Sequence, residues 1–150
     1  MLYTGGFKIS ILARDVLLER INIKLNWLCF NLQNDAKRGL LDGHIHSENF
    51  IKELLNVVYG YNLININATR SNEPGIDLGD IKKKVAFQVT GQKTKLKIDK
   101  TLKNVVENNK HLTYPEVYIM VLGQKQKTYA AFNSKEAKVL KFQANKHIID

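Results

Sequence analysis

The residues of this chain best suited to chemistry lie in two neighbouring strings, Pro74-Gly75-Ile76-Asp77-Leu78-Gly79-Asp80 and Val85-Ala86-Phe87-Gln88-Val89-Thr90. The second alternates, with Val85, Phe87 and Val89 on one strand face and Ala86, Gln88 and Thr90 on the other. If the two strings form a hairpin turning at Lys82-Lys83, Asp77 falls directly across from Gln88, with Cβ atoms roughly 4.5 to 5.5 Å apart. A turn at Gly79-Asp80 would break that register, and Lys-Lys is not a favoured two-residue turn. A carboxylate and an amide oxygen converging on one face can hold a hard cation such as Mg²⁺, which prefers oxygen ligands and keeps several waters. Plainer readings exist. Asp77 and Asp80 around Gly79 are common turn formers, and Gln88 with Thr90 can make an uncharged polar sheet face.

The elements that must position these residues follow from periodicity. From about Leu12 to Asn34, Leu12, Val16, Leu17, Ile21, Leu25, Leu28 and Leu32 recur at helical spacing, which predicts one long N-terminal helix. Lys37-Arg38-Gly39 and Asp42-Gly43 end it. A second helix should start at Ser47 as its cap, bury Phe50, Ile51, Leu54, Leu55, Val57 and Val58, and stop at Gly60. Strands are expected over Tyr61–Asn67, at Ile76–Asp80 after the Asn72–Gly75 turn, and over Val85–Thr90. Thr94 to about Asn108 is helical through Leu96, Ile98, Leu102, Val105 and Val106. Val117–Leu122, bounded by Pro115 and Gly123, reads as a strand buried on both faces. Beyond it, Tyr129–Phe132 suggests another strand and Ser134–Lys141 a short helix. The closing pair Ile148-Ile149 suggests continuation into further structure, so that this chain would be the N-terminal module of a longer protein.

A length of 150 residues suits one domain, and 44% apolar with 25% charged residues excludes a disordered or collagen-like chain. Arg14 and Asp15 interrupt the apolar stretch Ile9–Leu18, so it is neither a signal core nor a membrane span. The single cysteine, Cys29, permits no internal disulfide, and a reducing cytoplasm is the simplest location. Cys29 reads as an apolar filler, and Trp27 and the tyrosines as core or boundary packing rather than base-stacking platforms. His44 and His46 lie two apart in an expected loop; solvated histidines are the plainer reading than metal ligands. Basicity is concentrated: residues 1–80 carry 8 Lys+Arg against 9 Asp+Glu, residues 81–150 carry 15 against 5. A positive half points to an anionic partner, nucleic acid first and an anionic membrane surface second, with a merely solvated Lys-rich surface as the alternative.

The order of helix, three strands, helix and strand, with Pro74, Asp77 and Gln88-x-Thr90, resembles the PD-(D/E)xK nuclease superfamily. More closely, His46-Ser47-Glu48-Asn49-Phe50, Leu54-Leu55-Asn56, Gly60-Tyr61-Asn62-Leu63, Gly75-Ile76-Asp77-Leu78-Gly79-Asp80, Phe87-Gln88-Val89-Thr90, Lys97-Ile98 and Thr101-Leu102 resemble the SMEK domain. That is a bacterial module found at the N-terminus of multidomain proteins, many linked to anti-phage defence, and the resemblance spans roughly residues 10 to 150. It implies an α/β fold with a restriction-endonuclease-like αβββαβ core and an additional long N-terminal helix. It also implies Asp77 as principal metal ligand, Gln88 in the place of the second acid, and Glu48 as the acidic residue of the first core helix, with Glu53 its rival. The strand lysine of the superfamily is Thr90 here, so activity requires a substitute: Lys93, Lys95 or Lys97.

An active enzyme would be a deoxyribonuclease using Mg²⁺ (or Mn²⁺) held by Asp77, Gln88 and Glu48, with Lys93 or Lys95 orienting water and offsetting developing charge. Lys82, Lys83, Lys84 and Lys97 are the expected phosphate contacts, Lys82–Lys84 being equally readable as a solubilising hairpin tip. Two other functions compete. One is a degenerate nuclease fold that only binds nucleic acid; the other is a homo-oligomerisation platform built on the N-terminal helix, which predicts exposed Trp27 and Phe30 in the isolated protomer.

Overall fold

The structure, a computed structural model, describes residues 11–38, 42–68 and 74–150. Its elements are helix α1 (Ile11–Arg38), helix α2 (Asp42–Tyr59), strand β1 (Ile64–Asn65), a 3-10 turn (Ile66–Ala68), strands β2 (Leu78–Asp80) and β3 (Val85–Thr90), helices α3 (Lys95–Glu107) and α4 (Lys110–Thr113), strand β4 (Glu116–Val121), helices α5 (Lys135–Val139) and α6 (Ala144–His147), and strand β5 (Ile148–Ile149). The strands form one mixed sheet in chain order. β2 runs antiparallel to its neighbours β1 and β3, and β3, β4 and β5 run parallel. Parallel neighbours need a crossover, which α3 supplies between β3 and β4.

The pleat divides the core in two. Val85, Phe87 and Val89 of β3 join Leu78, Met120 and Leu122 against Ile51 and Leu55 of α2. Ala86 and Val117, Ile119 and Val121 of β4 face the other way, against Ile98, Leu102 and Val105 of α3 and Ala137 and Leu140 beyond it. β4 is therefore apolar throughout because both of its faces are covered. Thr94 caps α3, accepting from the Lys97 N–H, and Ser134 caps α5, accepting from the Ala137 N–H.

Several expectations change. α2 begins at Asp42, more than a turn ahead of Ser47; Gly43 is tolerated inside the first turn, so Ser47 is a buried helical residue rather than a cap. His44 and His46 are thus helical, not in a loop; their side chains and that of Cys29 lie outside the described residues, as do Gly39 and Asn72 and Glu73 of the expected turn. The expected strand over Tyr61–Asn67 contracts to two residues, because the backbone N–H groups of Asn62, Leu63 and Asn67 donate to side-chain oxygens of Asp80, Asn56 and Asn65 instead of to a ladder. Tyr129–Phe132 is not a strand: Tyr129 and Phe132 pack against the α3 side of the core from irregular backbone. Leu96, assigned to the buried stripe of α3, is exposed, and so are Val16, Leu17, Ile21, Trp27 and Phe30 of α1. For Trp27 this overturns the packing role. Among the described residues no helix is long and apolar enough to cross a membrane.

Candidate functional site

The hairpin turns over Ile81–Lys84, with Lys84 in the left-handed region at φ 58°. Asp80 organises this turn: its Oδ1 accepts from the Lys83 N–H at 3.0 Å and its Oδ2 from the Asn62 N–H at 2.7 Å. Leu78 pairs with Phe87, Gly79 with Ala86 and Asp80 with Val85. The four-residue turn keeps the register expected for a Lys82-Lys83 turn, so Asp77 and Gln88 come side by side.

Asp77 sits at the bend entering β2, held from both sides through its backbone. Its N–H donates to the Phe87 carbonyl at 2.9 Å, and its carbonyl accepts from the Ile66 N–H at 2.8 Å. Its carboxylate is buried. Oδ2 accepts from the Val89 N–H at 2.8 Å and from Gln88 Nε2. Oδ1 accepts from Asn67 Nδ2 at 2.9 Å. Asp80 is therefore the turn former of the pair, whereas Asp77 takes up donors from β3 and from the 3-10 turn.

Glu48 reaches the same place from α2. Only 7% exposed, its Oε2 accepts from Asn65 Nδ2 at 3.0 Å and its Oε1 from Asn67 Nδ2 at 3.5 Å. Asn65 Nδ2 also donates to Asn49 Oδ1 at 3.3 Å, and Asn65 Oδ1 accepts from the Asn67 N–H at 3.0 Å. Glu53 is exposed. Glu48 lies three residues before Ile51 and seven before Leu55, so it shares their buried face, and the start of α2 at Asp42 removes the reading in which it merely sits at a helix N-terminus. Burial, then the charge of Glu48, push the Asp77 carboxyl up to about 7 from 3.8, against the Val89 N–H, Asn67 and Lys97, which pull it down.

The lysines divide. Lys97, in the first turn of α3, is the one whose charge acts on Asp77. Lys95 is engaged elsewhere: its Nζ lies 2.6 Å from Asp99 Oδ2 and 4.7 Å from the Phe132 ring centroid. Lys93 is exposed in the connection from β3 to α3. Lys82, Lys83 and Lys84 are exposed at the hairpin turn, which begins about 10 Å beyond Asp77 at some 3.3 Å per strand residue; the structure does not bring them to the Asp77 cluster. Thr90 is buried, its Oγ1 accepting from the Gln92 N–H at 3.0 Å.

Two residues of the cluster, Asn65 and Asn67, escaped the sequence reading. The signal was present: asparagine is disfavoured in strands, yet Asn62, Asn65 and Asn67 punctuate one short β-favouring stretch.

A hard cation suits this donor set. The two buried carboxylates are hard oxygen donors whose shared negative charge burial makes costly, and Gln88, Asn65 and Asn67 turn their amide nitrogens to them, so an amide would have to rotate to add its oxygen. Among the described residues no group of three or more His, Cys, Asp or Glu side chains is placed to hold a metal ion, and this cluster brings two carboxylates.

Comparison with curated proteins and with solved structures finds no match. The family model of the SMEK domain, however, matches from residue 20 to the last residue, 150, taking in every residue of this cluster, and the chain belongs to the SMEK domain family.

Proposed function

We propose that this domain is a metal-dependent nuclease of PD-(D/E)xK type that hydrolyses DNA phosphodiester bonds, with a role in bacterial anti-phage defence. The observation that carries the reading is the convergence of Asp77, Gln88 and Glu48, from the bend entering β2, from β3 and from α2, on one buried polar cluster. The run α2–β1–β2–β3–α3–β4, in the helix, three strands, helix, strand order, supports it.

Asp77, Glu48 and Gln88 would hold Mg²⁺ or Mn²⁺, which supplies a Lewis acid for the phosphoryl oxygen and acidifies water. The chain's own contribution is then positional and electrostatic. Asp77 is fixed by the Val89 N–H and by backbone bonds on both sides. Lys97 takes the place of the missing strand lysine, its ammonium offsetting the charge that develops on the phosphate. Lys93 and the exposed face of α3, with Lys100 and Lys103, would neutralise backbone phosphates without reading sequence. The lysines of the hairpin turn would contact DNA further out.

Cleavage of single- and double-stranded DNA with Mg²⁺ or Mn²⁺, comparing wild type with Asp77→Ala and an EDTA control, tests the proposal. Metal-dependent cutting lost in Asp77→Ala is the expected result. Salt-sensitive DNA binding without cutting would favour the second reading, a degenerate nuclease fold used for recognition. The observation behind that alternative is Thr90, whose hydroxyl serves the local backbone and carries no charge.

A further inference from the structure

Helix α1 has two apolar stripes instead of one. At 100° per residue, Leu17, Ile21, Leu25 and Leu28 fall on one side, and Val16, Ile23, Trp27 and Phe30 fall within an arc of about 60° almost opposite. The first stripe turns inward in its C-terminal half, where Leu25 and Leu28 are half-buried and Leu28 packs against the core between α2 and the sheet, while Leu17 and Ile21 are 44% and 52% exposed. The second is open along its length. Val16 is 53%, Ile23 59%, Trp27 67% and Phe30 64% exposed. A helix apolar on opposite sides belongs between two layers, and the protomer supplies one.

Spacing and charge together say what the other layer is. Val16, Ile23, Trp27 and Phe30 follow one another at steps of seven, four and three, which is the alternation of a and d positions in a heptad seam. Arg20 occupies the one remaining seam position, a polar substitution of the kind that sets register at some cost in stability. In this frame Glu19 falls at a g position and Lys24 at the following e position. Two parallel copies would therefore meet with Glu19 of each beside Lys24 of the other, whereas antiparallel copies would set like edge against like edge. The exposed parts of the four seam side chains come to on the order of 500 Å², and flanking Glu19, Arg20, Lys24 and Asn26 bring the face towards the roughly 800 Å² per partner of a stable interface.

The geometry points to a parallel, two-fold symmetric homodimer in which α1 of one protomer pairs with α1 of a second copy along the seam Val16–Ile23–Trp27–Phe30. The pairing is independent of nuclease activity and uses no residue of the Asp77 cluster.

Sedimentation equilibrium and light scattering over a dilution series test it on the whole chain, with circular dichroism confirming that each variant folds. Wild type is expected to dimerise. Trp27→Glu should weaken dimerisation at least tenfold. Glu19→Lys and Lys24→Glu should each weaken it as single changes, and the Glu19→Lys/Lys24→Glu double variant should recover it, since the exchanged charges again face each other. Val16→Cys, in a Cys29→Ser background, should form an intermolecular disulfide under mild oxidation, because only the parallel register sets residue 16 against itself. A wild type that stays monomeric at every concentration, whether another segment or another protein covers the stripe, would overturn the inference. So would a dimer that the charge exchange does not restore and that Val16→Cys does not cross-link.

Discussion

Asp77 and Glu48 share a single hydrogen-bond donor, the side-chain amide of Asn67, which gives 2.9 Å to Oδ1 of one and 3.5 Å to Oε1 of the other. A neutral amide thus lies between two buried carboxylates, supplying dipoles but no charge. The bridge favours the ionised form, yet desolvation first and the charge of Glu48 second push the Asp77 carboxyl up to about 7, outweighing Asn67, the Val89 N–H and Lys97.

The first prediction concerns pH. Asp77 has a folded pKa above its unfolded one, so between about 4 and 7 the native state holds a proton that the unfolded state has released, and stability falls as pH rises through that window. The full effect is on the order of 4 kcal/mol at most, from a shift of about three units. His147 has the opposite sign: burial lowers its pKa, so its contribution grows as pH rises towards 6.5. Comparing wild type with Asp77→Asn isolates the carboxylate. Urea unfolding at a series of pH values should show wild type losing stability, relative to Asp77→Asn, on going from pH 5 to pH 8; parallel profiles would remove the buried, proton-holding carboxylate.

A second prediction follows for metal binding. A divalent cation needs Asp77 ionised and must displace the Asn67 amide from between the carboxylates. Mg²⁺ should therefore raise the melting temperature more at pH 8 than at pH 5. Asn67→Ala, which removes the competing donor, should bind Mn²⁺ more tightly than wild type by calorimetry. Weaker binding in Asn67→Ala would mean that the asparagine is itself a ligand.

Sequence legibility divides along physical lines. The register that sets Asp77 beside Gln88 was readable because strand alternation and hairpin length fix it together. The double-faced burial of β4 was readable from its unbroken apolar run. The inward turn of Glu48 was not, because the apolar stripe expected for α2 included Phe50, Leu54, Val57 and Val58, which are exposed; the buried face is that of Ile51 and Leu55, and residue 48 falls on it. The roles of Asn65 and Asn67 were hidden for another reason: a side-chain amide that spans two carboxylates leaves no periodic trace. The two stripes of α1 were read as one, since the first stripe alone satisfies helical periodicity and Trp27 and Phe30 pass for core residues until the other side of the helix is found occupied.

The lysines give a third prediction. If the site is catalytic, Lys97→Ala should lower the rate of DNA cleavage by about 10²-fold or more, the scale of losing a charge partner in a preorganised site. Lys95→Ala should leave the rate within a few fold. Its cost should be to stability, about 1 kcal/mol or less, because its partner Asp99 is partly exposed. Equal loss in both variants, with DNA binding falling in proportion, would instead identify them as phosphate contacts.

The last prediction concerns the packing that holds the cluster in place. Gly79 lies between Ile64 of β1 and Ala86 of β3, and a Cβ added there would come within 2.8 Å of Tyr114 Cζ and Oη and 2.9 Å of Ile66 Cδ1. Its φ lies outside the left-handed region, so the demand is for space and not for backbone freedom. Tyr114 is buried between α4 and β4, and Ile66 opens the 3-10 turn that carries Asn67. Both contacts are with side-chain ends, but the Tyr114 ring is buried and must shift within a packed core to make room. Gly79→Ala should therefore destabilise the fold by about 1 to 3 kcal/mol, the range for overpacking a filled core. It should also disturb the Asn67 bridge through Ile66. Pairing Gly79→Ala with Tyr114→Leu, which removes the atoms struck first, should cost less than the sum of the two single changes in a urea-unfolding cycle. Strict additivity would place the strain elsewhere, at Ile66 and the turn, and the Ile66→Val partner variant would then show the coupling.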